Sequence, residues 1–470
     1  MQSSRRVFFK RAMSMGIASS AYPLISACSK PANDTAAAED LAETMAIQPD
    51  PENLLDLPPG FTYAVHSAAG EIMDDGLSVP ASHDGMACFP VEGDADRCIL
   101  VRNHEVDFDE IEDGPFAVSS KMPDFDKAYD LVPGDAMPLP GGTTTLLFNL
   151  KTRQVERSHL SLAGTLSNCS GGLTPWGSWL SCEESRVTAG PFARKDHGYV
   201  FEVPAGAKGL VDPVPLTAMG RFRHEATATD PKTGIVYQTE DEDDSVIYRF
   251  LPDTAGELAQ GGRLQVLVIR DQARADTRNW DVPGQYAQGE SWQVDWVDID
   301  TVTSPDGDLR LRAVTKGAAV FARGEGMSYG VTQEGGAVFF ACTSGGFERV
   351  GQIWKYVPSP FEGAPDEAKS PGILTLHYES PSSIELEMCD NIVASPWGDL
   401  TVCEDGEGES YVRGVTPDGR VYDIARAGGG NDAEFAGACW SPDGQTLFVN
   451  LQGPHVTFSI RGPWAKLVRV

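Results

Sequence analysis

The sequence predicts an all-β fold, more specifically a six-bladed β-propeller with inserted loops, from three observations. Short apolar segments alternate with polar residues from about residue 80 onward, and the chain's 49 glycines and 32 prolines supply many turn positions. No long window shows a sustained helical period of apolar residues. Six segments share a turn followed by a strand-like run, which indicates a repeated structural unit.

The six related segments are aligned on their turns and have strand-like apolar runs. They are RCILVRNHE ending at Glu105, PWGSWLSCEE at Glu184, DPKTGIVYQTED at Asp241, EGGAVFFACTS near Ser344, PWGDLTVCED at Asp405 and SPDGQTLFVNLQ at Gln452. Copies of one unit at uneven spacing are typical of propeller blades separated by irregular loops.

Four of the six segments end in carboxylates, and this feature predicts a functional site. Equivalent strand ends of successive blades meet at one end of the central channel, where these acids would form a ring of negative charge. Like-charge repulsion makes such a ring unstable unless cations or protons neutralise it. The alternative is that the acids cap turns or face solvent. In the acidic run 238–245, alternate side chains point apart, so at most half can serve one site.

Composition excludes some functions. A net charge of −31 argues against nucleic acid, since a binder must neutralise phosphates with clustered Lys and Arg, and it also disfavours an anionic membrane surface. Abundant carboxylate suits hard cations.

Residues 1–28 are predicted to be a twin-arginine export signal, because SRRVFFK (4–10) precedes a weakly apolar stretch ending in the lipobox-like LISAC. Cys28 would then be lipidated, although a plain cleaved signal that discards Cys28 is the alternative. Residues 29–55 are expected to form a flexible tether and residues 56–470 the propeller. We expect the domain on the periplasmic or cell-surface side, attached to the membrane only through the lipid.

The eight later cysteines include no CxxC pair, so neither a zinc ribbon nor a thioredoxin-like site is supported. An exported protein can form disulfides, and Cys88 and Cys98 could bridge two neighbouring strands. The other cysteines lie mostly in apolar strand patterns, where a buried inert thiol is usual.

Several motifs resemble the PhoX-type alkaline phosphatases, a family exported by the twin-arginine route. The matching pieces run from about residue 80 to the C-terminus. They are LVRNHE (100–105), GGTTTL (141–146), NCSGGLTPWGSWLSCEE (168–184), GRFRHEATATDPKTGIVYQTED (220–241), FARGEG (321–326), GQIWKY (351–356), DNIVASPWGDLTVCEDG (390–406) and EFAGACWSPDGQTLFVN (434–450).

The resemblance implies a six-bladed propeller with a mixed iron–calcium cluster at the channel mouth, held by a cysteine and several carboxylates. It places the iron-binding thiolate on Cys169 and the phosphate-binding arginine on Arg323. The implied carboxylate ligands are Glu105, Glu184, Glu225, Asp244, Glu325 and Asp405. The neighbouring acids Glu183, Glu240, Asp241, Glu404 and Asp390 stay open as ligands or supporting residues.

This ligand set is chemically reasonable. Ferric iron accepts thiolate and carboxylate together, while Ca²⁺ takes several hard oxygens in flexible geometry. Arg323 can donate fork-shaped, charge-assisted hydrogen bonds to phosphate, although a surface ion pair with Glu325 is its simpler role. His104 and His224 precede proposed ligands and would point away from them along a strand, so supporting or core roles are expected.

We therefore expect a monomeric phosphomonoesterase that releases inorganic phosphate from small organic esters. Two other classes stay open: a calcium-dependent propeller hydrolase acting on lactones or phosphodiesters, and a non-enzymatic propeller stiffened by calcium. GMSYG (326–330) fits a serine-hydrolase elbow, but β-like sequence follows it where that elbow requires a helix.

Overall fold

The fold is all-β and propeller-like in a computed structural model that describes residues 45–117, 125–332, 335–428 and 433–468. The strands are β1 Leu55–Asp56, β2 Thr62–His66, β3 His83–Val91, β4 Asp94–His104, β5 Gly141–Asn149, β6 Gln154–Thr165, β7 Asn168–Leu173, β8 Ser178–Glu183, β9 Val200–Pro204, β10 His224–Thr229, β11 Val236–Glu240, β12 Tyr248–Pro252, β13 Gly262–Ile269, β14 Ser291–Asp298, β15 Gly324–Thr332, β16 Gly335–Cys342, β17 Gln352–Val357, β18 Gly372–Glu379, β19 Cys389–Ala394, β20 Leu400–Glu404, β21 Tyr411–Val415, β22 Val421–Ala427, β23 Phe435–Trp440, β24 Leu447–Leu451 and β25 Val456–Arg461.

The described helices are short and lie in connections. They are the α-helices Leu309–Thr315 and Trp464–Leu467 and the 3-10 helices Ile111–Asp113, Phe125–Lys127, Thr217–Met219, Leu258–Gln260 and Glu367–Lys369. The predicted absence of long helices is therefore confirmed over the described ranges. The GMSYG segment lies within strand β15, so it does not form the strand–turn–helix of a serine-hydrolase elbow.

The strands form five antiparallel sheets. Four are small, with orders β3-β4-β5-β6, β7-β8-β9, β1-β22-β21-β20-β19 and β2-β25-β24-β23, and the fifth has nine strands, β10-β11-β12-β13-β14-β18-β17-β16-β15. The prediction of an all-β propeller-like fold is confirmed. The sheets are not six separate ones, because β14 hydrogen-bonds on both edges, to β13 and to β18.

Six strands line the centre of the molecule, and each comes first in its antiparallel group. These are β3, β7, β10, β15, β19 and β23; each contacts the next in chain order, and β23 contacts β3. The six repeated segments of the sequence correspond to their hydrogen-bonded partners β4, β8, β11, β16, β20 and β24. The prediction that these segments are strands is confirmed.

The core lies between neighbouring sheets rather than in the central channel. One cluster packs Phe89 and Val101 of the first sheet against Trp179 and Phe201 of the second. Another joins the sheet of β19–β22 to that of β23–β25. This packing between sheets buries most residues of the central strands and holds those strands in place.

The two chain ends are joined by pairing between an early and a late strand. Strand β2 pairs with β25 from Thr62↔Arg461 to His66↔Thr457. This pairing places β2 in the sheet of the last three strands. Hydrogen bonds between strands far apart in sequence therefore hold the first and last parts of the domain together.

Part of the predicted tether belongs to the folded domain. Met45 and Leu55 are buried in the cluster beside β25, and Asp56 accepts hydrogen bonds from Arg426 at 2.6 and 2.9 Å. Residues 45–55 therefore pack against the domain. The predicted export signal, Cys28 and the rest of the tether lie outside the described residues.

All eight described cysteines are free thiols, including Cys88 and Cys98. In the β3–β4 register Cys98 opposes Pro90 and Cys88 opposes Leu100, so the two thiols are offset along the strands. Within the described ranges, none of the helices has both the length and the apolar character needed to cross a bilayer.

Candidate metal centre

Each of the six central strands carries a potential metal ligand at its start. The ligand is the second residue of the strand in five cases and directly precedes the strand in the sixth. In chain order these residues are Asp84, Cys169, Glu225, Glu325, Asp390 and Glu434. Contacts between neighbouring central strands bring these strand starts close together, so the six side chains lie near one another.

Every central strand has a register shift near its ligand, which lies within the shift in five strands and before it in the sixth. The shifts lie at His83/Met86, Asn168/Gly171, His224/Thr227, Gly324/Met327, Cys389/Ile392 and Ala436/Cys439. A bulge bends a strand and redirects its side chains, and bulges are frequent next to functional sites. The repeated bulge therefore explains how these polar side chains are directed toward one another and away from the apolar space between sheets.

The second strand adds a further ligand at its end in three of the six groups. Glu105 and Glu184 follow β4 and β8, and Asp405 follows β20. Together with the central-strand residues they form four groups whose ligand atoms lie within 4.8 Å of one another: Asp84, Glu105 and Cys169; Cys169, Glu184 and Glu225; Glu225, Glu325 and Asp390; and Asp390, Asp405 and Glu434. Shared members link the groups into one chain of nine residues, which we call the ligand cluster.

Close packing of the central strands brings these ligands within reach of one another. A Cβ at Gly326 would lie 2.6 Å from the Asn391 Cα, and a Cβ at Gly172 would lie 2.1 Å from the Thr227 carbonyl oxygen. Only glycine allows such an approach. Gly326 directly follows Glu325, so the glycine that allows β15 and β19 to pack closely is adjacent to a ligand.

The ligand cluster is buried and electrostatically unfavourable without cations. Burial raises the pKa of Asp84, Glu225, Glu325 and Glu434 far above that of an ordinary carboxyl, and neighbouring acidic groups raise it further. Burial, followed by Asp84 and Glu105, also raises the pKa of the Cys169 thiol. A bound cation would favour the deprotonated form of every one of these groups.

Glu225 has the environment expected of a ligand. It is 0 % exposed, and neither of its carboxylate oxygens accepts a hydrogen bond from a residue that the structure describes. Buried polar atoms in native proteins are almost always paired, so this carboxylate needs a partner from outside the chain. The thiol and carboxylate donors around it suit a transition-metal ion together with Ca²⁺.

Arg323 lies at the edge of the ligand cluster with two buried acidic partners. Its Nε donates to Asp241 Oδ1 at 2.8 Å, and its Nη2 donates to Glu325 Oε1 at 2.6 Å. Its backbone has a φ of +52°, which is unusual for a residue with a side chain. Such conformations persist where the surrounding structure enforces them, often at ligand-binding sites.

The structure brings most of the sequence-predicted ligands together. Cys169, Glu105, Glu184, Glu225, Glu325 and Asp405 all belong to the ligand cluster, and so does the less specific candidate Asp390. Asp244 does not join any of the groups formed by described residues. Instead its Oδ1 accepts a hydrogen bond of 2.6 Å from Arg310, and its side chain is 41 % exposed. The acidic run 238–245 gives no sequence signal that separates Asp244 from its neighbours.

Three of the acids left open by the sequence are held by the protein itself. Glu183 accepts from His197 Nδ1 at 2.7 Å and from the Gly198 amide at 2.8 Å. Glu240 accepts from the Tyr248 hydroxyl at 2.8 Å, and burial raises its pKa to about 8.

Glu404 is the third, and it accepts from Arg413 Nε at 2.9 Å; burial raises its pKa to about 7. The fourth open acid, Asp241, binds Arg323. In each adjacent pair, therefore, the first acid faces the sheet and the second faces the centre.

The two histidines are buried and hydrogen-bonded within the fold. His104 bonds the Ala81 carbonyl through Nδ1 and the Thr144 hydroxyl through Nε2, each at 2.9 Å. His224 bonds the Gly220 carbonyl at 3.1 Å and stacks on Phe222. Neither belongs to the ligand cluster.

Sequence reasoning missed Asp84 and Glu434. Both start central strands, whereas the repeat was aligned on the second strands. A signal was available, because the tripeptide Asp-Gly-Met at 84–86 recurs as Glu-Gly-Met at 325–327. Aligning these tripeptides would have revealed the central strand and its ligand position.

The fold and this cluster define a propeller-like protein with a candidate metal centre. The family model described as alkaline phosphatase PhoX matches residues 42–132 and 133–455. The chain belongs to the PhoX alkaline phosphatase family, and it is accordingly a phosphatase. Among proteins with curated annotation, none matches this sequence.

One solved structure supports the fold. The structure of Pseudomonas fluorescens PhoX in complex with vanadate, a transition-state analogue, is similar with a TM-score of 0.64 and 17% identity, over 89% of this chain and 97% of that chain. A gluconolactonase from Xanthomonas campestris is more distant, with a TM-score of 0.40 and 12% identity over 86% of this chain and 96% of that one.

Proposed function

We propose that this phosphatase is a phosphomonoesterase that releases inorganic phosphate from small organic esters at an iron–calcium centre in the ligand cluster. The single observation that carries the proposal is Glu225: it is fully buried, it has no hydrogen-bond partner in the described chain, and it is shared by two of the four ligand groups. A carboxylate in that position is stabilised by cations.

Each residue type has a part in this proposal. Cys169 would hold iron through its thiolate. Ca²⁺ is bound by oxygen ligands alone, so a thiolate among the ligands favours a second kind of metal ion. The carboxylates of the ligand cluster would hold the remaining coordination positions. The bound cations would polarise the phosphoryl oxygens and offset the negative charge that develops on them.

The chain's own contribution is to bind and orient the ester. Arg323 is placed by its hydrogen bonds to Asp241 and Glu325, and its guanidinium can bind two phosphate oxygens at once. Because the partners of Arg323 are buried, its orientation is fixed before the substrate arrives, which reduces the ordering cost of binding.

We further propose that the fold has six blades, with the nine-stranded sheet made of two. Its halves β10–β13 and β15–β18 each begin with a central strand and a ligand, and β14 joins them. The repeated bulge in six central strands supports this division.

The proposed location follows from the N-terminal sequence alone. The twin-arginine motif at Arg5–Arg6 and the lipobox ending at Cys28 support export by that route and a lipid anchor. This route carries proteins that are already folded, so metals could be inserted before export. We propose a monomer.

The metal content of the natively exported protein tests the proposal. We expect iron and calcium in the wild type, and loss of iron together with phosphatase activity in Cys169→Ala. Cys182→Ala is the matched control, because Cys182 is also buried but only burial raises the pKa of its thiol. The control should keep its metals.

Two results would overturn parts of the proposal. Calcium without iron in the wild type would favour a calcium-dependent hydrolase and remove the role of Cys169. Metal-loaded protein without activity on any phosphate ester would favour the non-enzymatic, calcium-stiffened propeller.

A further inference from the structure

Two arginines occupy the same position in neighbouring repeats. The residue before a central strand is Ser82, Ser167, Arg223, Arg323 and Met388 for β3, β7, β10, β15 and β19. Its carbonyl accepts a hydrogen bond from a backbone amide just after the second strand in all five cases: those of Glu105, Glu184, Asp241, Thr343 and Asp405. Arg223 is therefore the structural equivalent of Arg323, one repeat earlier.

Asp241 lies between the two guanidinium groups. Arg323 binds it in a fork, with Nε to Oδ1 at 2.8 Å and Nη2 to Oδ2 at 3.2 Å. The Arg223 Nη2 lies 3.7 Å from the same Oδ2. One buried carboxylate thus holds both arginines on one side of the ligand cluster.

Each arginine also binds a different member of the ligand cluster. Arg223 donates to Glu184, and Arg323 donates to Glu325 at 2.6 Å. These contacts anchor both side chains beside the positions that cations would occupy, so a phosphate bound to the cations would lie within reach of both arginines.

Exposure distinguishes the arginines from their acidic partners. The side chains of Arg223 and Arg323 are 30% and 18% exposed, whereas those of Glu184, Asp241 and Glu325 are 1%, 6% and 4% exposed. The guanidinium groups are therefore the part of this arrangement that an incoming anion meets first. The bound cations would offset the acidic partners of both arginines, so that the two guanidinium groups can bind an anion there.

We propose that Arg223 and Arg323 together bind the terminal phosphate of a phosphomonoester, with Asp241 holding the pair in place. The inference rests on the proposed function and extends it to substrate class. A monoester phosphate has three non-bridging oxygens and two negative charges near neutral pH, whereas a diester has two such oxygens and one charge. Donors from two guanidinium groups, rather than one, suit the extra oxygen and the extra charge of the monoester, so Arg223 selects monoesters over diesters.

Orthophosphate binding by the metal-loaded protein provides a direct test. We expect Arg223→Gln to weaken calorimetric binding of inorganic phosphate and of vanadate by about tenfold or more, the loss typical of a hydrogen bond to a charged group. The iron and calcium content should stay unchanged. The ratio of monoester to diester kcat/KM should fall, because only the monoester has oxygens and charge enough to engage both arginines.

Two further variants control for structure. Arg223→Lys keeps the charge but has no fork, so phosphate affinity should fall between those of the wild type and Arg223→Gln. Arg310→Gln removes an arginine that, like Arg223, is ion-paired with acidic residues. Arg310 binds Asp244 and does not contact the ligand cluster in the described structure. It should leave phosphate binding unchanged.

The outcomes separate this inference from the proposed function. Unchanged phosphate affinity in Arg223→Gln, with an active wild type, would overturn the role of Arg223 only. Loss of metal in Arg223→Gln would also overturn it, because Arg223 would then act by holding Glu184. A wild type that neither binds phosphate nor hydrolyses esters would overturn the proposed function itself.

Discussion

Glu183 and Glu184 are adjacent in sequence, are both buried, and end in opposite environments. Glu183 accepts hydrogen bonds from His197 and from the backbone amides of Leu166, Gly198 and Tyr199. Glu184 belongs to the ligand cluster and is close to Cys169 and Glu225. The two side chains at the end of β8 therefore point apart, Glu183 toward His197 and Glu184 toward the ligand cluster.

The difference shows two ways to stabilise a buried carboxylate. On the sheet side the chain supplies the compensating charge, since burial alone would lower the pKa of His197 but Glu183 and Asp130 raise it to about 9. In the ligand cluster, burial raises the pKa of Glu225, and the acids Glu325 and Asp390 raise it further. A carboxylate that the protein satisfies is structural, and one that needs an external cation indicates a function.

The largest expected effect, on metal content and activity, comes from removing the carboxylate of Glu225 in the ligand cluster. Glu225→Gln should lose metal and at least about 100-fold in kcat/KM for phosphate esters, since it removes a shared ligand. With chelator present, its stability should equal or exceed that of the wild type, because a repelled buried acid has been removed. Metal analysis and urea unfolding check both parts. A chelated variant less stable than the chelated wild type would show that Glu225 is held by the chain.

A smaller effect is expected on the sheet side, and it depends on pH. The folded-state pKa of His197 is about 9, above the ordinary value of 6.5, so its stabilising contribution is complete below pH 6.5 and is lost as the pH rises through 9. His197→Gln should remove this dependence and cost about 3 kcal/mol below pH 6.5.

Urea unfolding at pH 6 and pH 9.5 measures the difference. His66→Gln is a comparison of opposite sign: burial lowers the pKa of His66 to about 4, so near pH 6 mainly the unfolded chain protonates it, and this variant should gain stability at pH 6 relative to pH 9.5. If the free energy of unfolding depends on pH equally in the wild type and in His197→Gln, His197 does not stabilise Glu183 by its charge.

The smallest effect is expected at Asp244, which lies outside both regions. Its ion pair with Arg310 is partly exposed, so Asp244→Asn should change the free energy of unfolding by less than about 1 kcal/mol. Metal content and kcat/KM should match the wild type. A loss of calcium in this variant would show that Asp244 is a metal ligand and that the metal centre extends beyond the ligand cluster.

Local sequence features predicted the strands well and the ligands less completely. The alternating runs at 97–105 and 175–184 fold as expected, because alternation and turn residues are local properties. The choice between Glu404 and Asp405 could not be made locally, since it depends on Arg413, nine residues beyond Glu404, and on ring neighbours from distant strands. Asp84 and Glu434 were missed because the repeat was aligned on the wrong strand of the unit.

The sequence by itself determined the all-β class, the repeated unit, the PhoX resemblance and most of the acids that converge. Those properties depend on residue type, on local period and on spacing along the chain. Only the tertiary structure decided which acid of each pair faces the channel, that β14 joins two groups of strands into one sheet, and that Arg223 lies beside Arg323. These depend on close packing between strands far apart in sequence, which places side chains within a few ångströms of partners that no local pattern specifies.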